Sequence, residues 1–192
     1  MKMKILITFV LLFSMISCDL LTTRDPEKPN TAGNSNIPAT TPDILFNNFI
    51  SSIQNKVLEN YLACFVDPTF SNKNFRFFAS TGALSQFPSL IVWSVDSERQ
   101  YFNNMKAISK EGQSISLSLS NVNNTQLGDS AVYQYDYLLS FQANDQNVAG
   151  DYQGSAQFKI YLDSRNQWVI AEWYDLRKDN YPSWSELKGR LY

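Results

Sequence analysis

Histidine is absent from all 192 residues, and that absence excludes more than any other feature of the composition. It removes the commonest general base and the commonest transition-metal ligand, so imidazole triads and histidine zinc sites are ruled out. No cofactor or metal is expected from any motif. Cysteine is almost as scarce, with Cys18 and Cys64 the only two. No apolar run approaches the ~20 residues that a bilayer-crossing helix needs. The run from Ile5 to Ile16 is 12 residues long. Charge is thin, at 18% Asp, Glu, Lys and Arg, and its balance is slightly acidic. Nucleic acid is therefore not an expected partner. What the chain does have is aromatic content, 14% of residues, ample for the core of one domain.

The short apolar run follows Lys2 and Lys4 and leads through Met15-Ile16-Ser17 into Cys18. A basic flank, an apolar stretch too short to span and a small residue at the cut form an export signal. The segment resembles a bacterial lipoprotein signal peptide. That resemblance implies cleavage ahead of Cys18, a diacylglyceryl group on its thiol, an acyl chain on its amine, and residence in the bacterial cell envelope on a membrane. Several acyl chains at ~0.8 kcal/mol per buried methylene make such an anchor nearly permanent. The competing reading is an ordinary cleaved signal followed by a chance cysteine. Asp19 would mean inner-membrane retention under the sorting rule of enteric bacteria, a rule that does not hold in every lineage, so inner and outer membrane both stay open. Removing residues 1–17 leaves 14 basic against 18 acidic side chains, a formal charge of −4. With Cys18 acylated, Cys64 has no partner for an internal disulfide.

From Cys18 to Thr40 the chain is rich in Pro, Thr, Asn and Gly and has too few apolar residues to offset the entropy of ordering. It reads as a flexible tether with a root-mean-square reach of ~25 Å. A single domain follows over 41–192. Thr41-Pro42-Asp43 supplies a capping hydroxyl, a proline at the first helical position and an acid in the first turn, which predicts a helix start. Leu45, Phe46, Phe49, Ile50, Ile53 and Val57 recur at helical spacing. After a break near Asn55, a second group, Leu58, Tyr61, Leu62 and Phe65, continues the pattern. Cys64, with no basic neighbour to lower its pKa, reads as a small buried hydrophobe. Phe75–Ala79 predicts a strand, a looping segment holds Pro88, and a third helix begins near Ser94 with Asp96 and Glu98 in its first turn and Tyr101, Phe102 and Met105 on its buried side.

Beyond Gly112 the period becomes two. Ser114–Ser120 alternates serine with Ile115, Leu117 and Leu119. Ala131–Phe141 carries Tyr133, Tyr135, Tyr137, Leu139 and Phe141 on one face and Asp136 on the other. Tyr152–Leu162 and Gln167–Asp175 complete an antiparallel run. Asn123-Asn124 and Asp163–Asn166 are the expected turns, and the sequon formed by Asn123-Asn124-Thr125 is read as a turn alone. In the last strand Trp168 and Ile170 differ in parity from Trp173 and Asp175, which requires either cover on both faces or a bulge. Ser183-Trp184-Ser185-Glu186 is a capping box, opening a short helical turn that ends near Gly189.

Helices first and a curled antiparallel sheet afterwards define an α+β layer fold with helices on one sheet face. With Asn60-Tyr61 to Phe65 ahead of the first strand and Trp168-Val169-Ile170 through Trp173-Tyr174-Asp175 in the last, the region from Pro42 to Asp175 resembles the cone-shaped, cystatin-like fold of nuclear transport factor two and ketosteroid isomerase. The tail Ser183–Gly189 resembles that of bacterial lipoproteins carrying such a domain. The resemblance implies a conical cavity between sheet and helices, with candidate lining residues Tyr61, Tyr101, Tyr135, Trp173 and Asp175. Enzymes of that superfamily place an aspartate base, a tyrosine and often a histidine there. Here Asp136 or Asp175 would be the base, and Tyr61, Tyr101 or Tyr135 the donor. Asp136 lies on the opposite strand face from Tyr135, which counts against that dyad, and no catalytic residue is assigned. The reading favoured is a non-enzymatic, lipid-anchored domain that binds a small hydrophobic ligand in the cone, or a protein or a second copy of itself on the outer sheet face. Its polar Ser114, Ser116, Ser118 and Ser120 argue against a wholly apolar dimer surface. An isomerase- or dehydratase-like enzyme and a purely structural envelope component are the alternatives.

Overall fold

The computed structural model describes residues 36–178 and 180–192. The signal segment, Cys18 and the tether up to residue 35 lie outside the described residues. The tether was expected to run to Thr40, but the chain is packed before that. The Ala39 carbonyl accepts the Trp168 N–H at 2.8 Å, and the Asn48 side chain donates to the Ile37 carbonyl at 2.6 Å. A buried backbone N–H at the start of a strand needs an acceptor, and Ala39 provides it.

Helix α1 (Pro42–Gln54) starts as its sequence predicts: Thr41 Oγ1 accepts the Ile44 N–H at 3.3 Å, and Pro42 occupies the first turn. It buries Leu45, Phe46, Phe49 and Ile53. Lys56, at φ 56°, turns the chain in the left-handed region and separates α1 from α2 (Leu58–Leu62). Strand β1 (Arg76–Phe78) follows. The Pro88 segment, expected as a loop, contains α3 (Thr81–Gln86) and a 3-10 turn over Pro88–Ile91. Helix α4 (Val95–Ile108) is capped reciprocally by Ser94 and Ser97 and buries Glu98, Tyr101, Phe102 and Met105. No helix among the described residues is long and apolar enough to cross a membrane.

Four long strands form the rest of the sheet: β2 (Ser116–Leu127), β3 (Ser130–Phe141), β4 (Gly150–Leu162) and β5 (Trp168–Arg177). The order is β1-β5-β4-β3-β2, antiparallel except that β1 runs parallel to β5. Two sequence expectations need correction here. Asn123-Asn124 is not a turn: β2 bulges between Ser120 and Asn123 and continues to Leu127, pairing Asn123 with Gln134. The turn is Gly128-Asp129, where Gly128 takes φ 61°, the glycine-first arrangement of a tight hairpin. The other concerns the end of the chain. The capping box at Ser183 opens α5 (Trp184–Leu191), which continues past Gly189.

The parity conflict in β5 resolves as a bulge combined with double cover. Ile160 pairs with Ile170 and Lys159 with Glu172, so Ala171 is the extra residue. Ahead of it, Trp168 to Ala171 are all buried, because the segment after α2 lies along the strand and exchanges backbone hydrogen bonds with Ile170. The bulge flips the inward phase and sends Trp173 and Asp175 into the interior.

The inner sheet face meets α1 through Phe46, whose ring lies 4.9–5.4 Å from Tyr133, Tyr135 and Phe158. Phe49 contacts Tyr61, Phe65, Phe158, Trp173 and Trp184. Opposite Tyr137 on β4 stands Gly154, where a Cβ would lie 2.5 Å from both the Tyr137 hydroxyl and the Leu176 carbonyl. Gly154→Ala is expected to destabilise the domain by about 1–3 kcal/mol, read as a lower denaturant midpoint with an unchanged slope.

Candidate functional site

The interior where a cavity was expected is closed by α5. That helix buries Trp184, Ser185, Glu186, Leu187, Lys188 and Leu191, and two of its side chains reach the centre of the cone. Trp184 stands edge-on to Trp173 at 4.6 Å and donates from Nε1 to the Tyr101 hydroxyl at 2.9 Å. One turn later comes Lys188, 0% exposed and ion-paired with Glu98, also 0% exposed. Glu98 is bound further by Trp93 Nε1, donating to Oε1 at 2.9 Å, and by the Tyr61 hydroxyl, donating to Oε2 at 2.8 Å. Rings of Phe77, Trp93, Tyr101 and Trp173 surround the Lys188 ammonium. Burial pushes the Lys188 pKa down to about 8, although the Glu98 carboxylate pulls it the other way.

A second buried carboxylate sits nearby. Asp175 accepts the Tyr137 hydroxyl on Oδ1 at 2.7 Å, and the Ser185 backbone N–H at 2.7 Å and the Ser185 hydroxyl on Oδ2. Tyr137 in turn accepts the Trp184 N–H at 2.8 Å. Desolvation raises the Asp175 pKa against the lowering pull of these bonds. Asp175 therefore ties the first turn of α5 to β3 and β5, with both oxygens hydrogen-bonded and its side chain closed to solvent.

The five residues expected to line a cavity are placed as follows. Tyr61, Tyr101, Trp173 and Asp175 do converge in the interior, each at most 1% exposed; Tyr101, Trp173 and Asp175 meet α5, whereas Tyr61 packs on Phe49, Phe65 and Phe102 and reaches Glu98. Tyr135 lies apart, beneath Phe46 and stacked on Tyr133. Trp173 Nε1 has no hydrogen-bond partner among the described residues. The other candidate base, Asp136, faces outward, where Asn121 and Lys178 donate to it and lower its pKa. Cys64 is buried and its thiol is pushed up to about 12, a packing residue and not a nucleophile. Among the described residues no cluster of three or more Cys, Asp or Glu side chains is placed to hold a metal ion.

Sequence reasoning missed Glu98 as a buried group and missed Lys188 altogether, although the signal was present. Glu98, Tyr101, Phe102 and Met105 share one helical stripe, as do Trp184, Leu187, Lys188 and Leu191. An acid and a base, each in phase with the apolar residues of its own helix, mark an internal pair.

On the surface, a cleft of about 650 Å³ lies between α2, the segment leading to β1 and the start of α4. Leu62, Phe65, Val66 and Phe75 form its apolar floor, and Glu59, Asp96, Arg99 and Arg165 stand at its rim. Arg165 is committed to Asp163 at 2.6 Å and lies over the Phe70 ring. Arg99 is about half exposed and, among the described residues, pairs with Glu59 at 3.7 Å.

This architecture is the nuclear-transport-factor-two-like cone fold, an α+β fold with helices against a curled five-stranded sheet. A candidate scytalone dehydratase from Novosphingobium aromaticivorans superposes with a TM-score of 0.55 at 10% identity, over 73% of this chain and 88% of its own. A candidate dehydratase of the same fold family from Streptomyces avermitilis gives 0.53 at 9% identity, over 69% and 90%. A candidate aromatic ring hydroxylase from Novosphingobium aromaticivorans gives 0.55 at 12%, over 76% and 92%. Identities this low convey shared architecture only. No protein-family model and no curated protein matches the chain.

Two outcomes follow from the buried groups. Burial raises the pKa values of Tyr61, Tyr101 and Tyr137 above the ordinary 10.0. Below that value both folded and unfolded chains keep these hydroxyls neutral; above it only the unfolded chain ionises them, so stability falls as pH rises past about 10. Tyrosinate absorbance followed against pH should show these three titrating together with unfolding. Asp175→Ala, which strands the Ser185 N–H and the Tyr137 hydroxyl, should cost on the order of 3 kcal/mol in chemical denaturation.

Proposed function

We propose that this chain is a lipid-anchored lipoprotein of the bacterial cell envelope, held at a membrane through Cys18, whose domain binds a partner at its surface and performs no reaction inside the cone. The observation that carries this reading is the filled interior: α5 buries Trp184 and Lys188 between the sheet and the other helices. A dehydratase- or isomerase-like reaction needs a carboxylate open to its substrate, and Asp175 is 1% exposed with both oxygens engaged. A small hydrophobic molecule lacks room for the same reason.

The binding surface that fits best is the cleft beside α2 and α4. Its volume of about 650 Å³ falls within the usual range for specific pockets. Its apolar floor and charged rim suit a protein segment of mixed character. The outer sheet face is less suited to a large apolar contact, because Ser116, Ser118 and Ser120 are exposed along β2.

Anchoring is tested in the full chain expressed in a bacterial host. Cys18→Ser should lose labelling by a fatty-acid analogue and leave the membrane fraction or remain unprocessed, whereas a substituted protein that is still labelled would refute the assignment. A photo-crosslinking residue in place of Leu62 should give an adduct of defined mass in the envelope, abolished by Arg99→Glu. No adduct at that position would remove the cleft from this reading.

A further inference from the structure

We propose that the chamber at the centre of the cone is a binding site for a primary ammonium group, occupied by the chain's own Lys188, so that α5 acts as an internal ligand. This is independent of the surface cleft. Four rings face the Lys188 Nζ, with centroids at 4.1 Å for Trp173, 4.3 Å for Phe77, 5.0 Å for Tyr101 and 5.2 Å for Trp93. A cage of aromatic faces attracts an organic cation through the ring quadrupoles and does so most strongly when water is excluded. Glu98 supplies the compensating negative charge.

The argument for a receptor and a guest, as opposed to a mutual ion pair, lies in where the parts come from. Phe77 belongs to β1, Tyr61 to α2, Trp93 to the segment before α4, Glu98 and Tyr101 to α4, and Trp173 to β5. Only Lys188 comes from α5. Glu98 is already oriented without the lysine, by the Trp93 Nε1 donation at 2.9 Å and the Tyr61 hydroxyl donation at 2.8 Å. The cage is thus assembled on the sheet and the preceding helices, with its carboxylate aimed inward; α5 contributes the cation and, through Trp184, packs behind two of the four rings.

The chemistry of the walls sets the guest class. Carboxylates and phosphates are repelled by Glu98. Neutral alcohols gain nothing from the ring faces. A guest must be a single alkyl chain ending in an ammonium, no wider than the lysine stem it replaces. A free guest of this class and the docked α5 exclude one another.

The test uses the full chain carrying Lys188→Ala, which deletes the fragment equivalent to n-propylammonium. Thermal unfolding is followed against n-propylammonium chloride, with n-propanol and sodium chloride as matched controls. Expected is a saturable rise in Tm of several degrees with the ammonium alone. Adding Glu98→Gln should raise the half-saturating concentration at least about tenfold, the weight of a charged hydrogen-bonded contact. The unsubstituted chain and Lys188→Met, whose cages are filled, should show no saturable shift. Should Lys188→Ala fold only in the presence of additive, its refolding yield reads the same selectivity. Equal rescue by n-propanol, no rescue by the ammonium, or an equal response from the unsubstituted chain would each overturn the proposal.

Discussion

An ammonium and a carboxylate, both withdrawn from water, meet at the centre of this domain, and the elements around them are arranged so that neither is left alone. The Glu98–Lys188 pair joins α4 to α5, and the groups that make the pair tolerable come from α2, β1, β5 and the segment ahead of α4. Removing one member of a buried pair leaves the other uncompensated, typically at a cost of about 3–5 kcal/mol, while replacing both with apolar groups of similar volume is often neutral. The pair therefore adds little net stability of its own. It accompanies the seating of α5 in which Trp184 meets Trp173 edge-on and Ser185 reaches Asp175.

The sheet is shaped to accept that seating. The bulge at Ala171 brings Trp173 and Asp175 inward, and Gly154, lacking a side chain, lets the Tyr137 hydroxyl pass to the Asp175 carboxylate. Phe87, after α3, packs against the face of α5 at Gly189, where a Cβ would collide with its ring. Local irregularities in β4, β5 and α5 thus serve a single packing problem, how to hold a polar and aromatic helix inside a cone. The same cone fold offers a cavity only if nothing fills it, so architecture shared with solved dehydratase-like proteins leaves the chemistry of this interior to its own residues.

Much of the fold was legible in the sequence because its signals are local. Thr41-Pro42-Asp43 and Ser183–Glu186 mark helix starts through their own caps, and the Tyr133–Phe141 alternation marks an inner strand face. The bulge at Asn121 let β2 run on past Asn123-Asn124, and the turn fell at Gly128, which takes φ 61°. The interior was legible in part. Tyr61, Tyr101, Trp173 and Asp175 all lie in the interior, but whether such residues surround space or a helix depends on a contact spanning 90 residues between Glu98 and Lys188. Periodicity within either helix carries their phase but not their partnership.

Strand β2 has a further consequence. It is the outer strand of the sheet, and from Ser116 to Leu127 it carries no charged residue and no proline. Such an edge, with free backbone donors and acceptors, would ordinarily template pairing with another chain. The left-handed Asn121, at φ 52°, interrupts the edge at its midpoint. The kink divides one long edge into two short stretches, so a second strand laid along it would keep register over only half of its length.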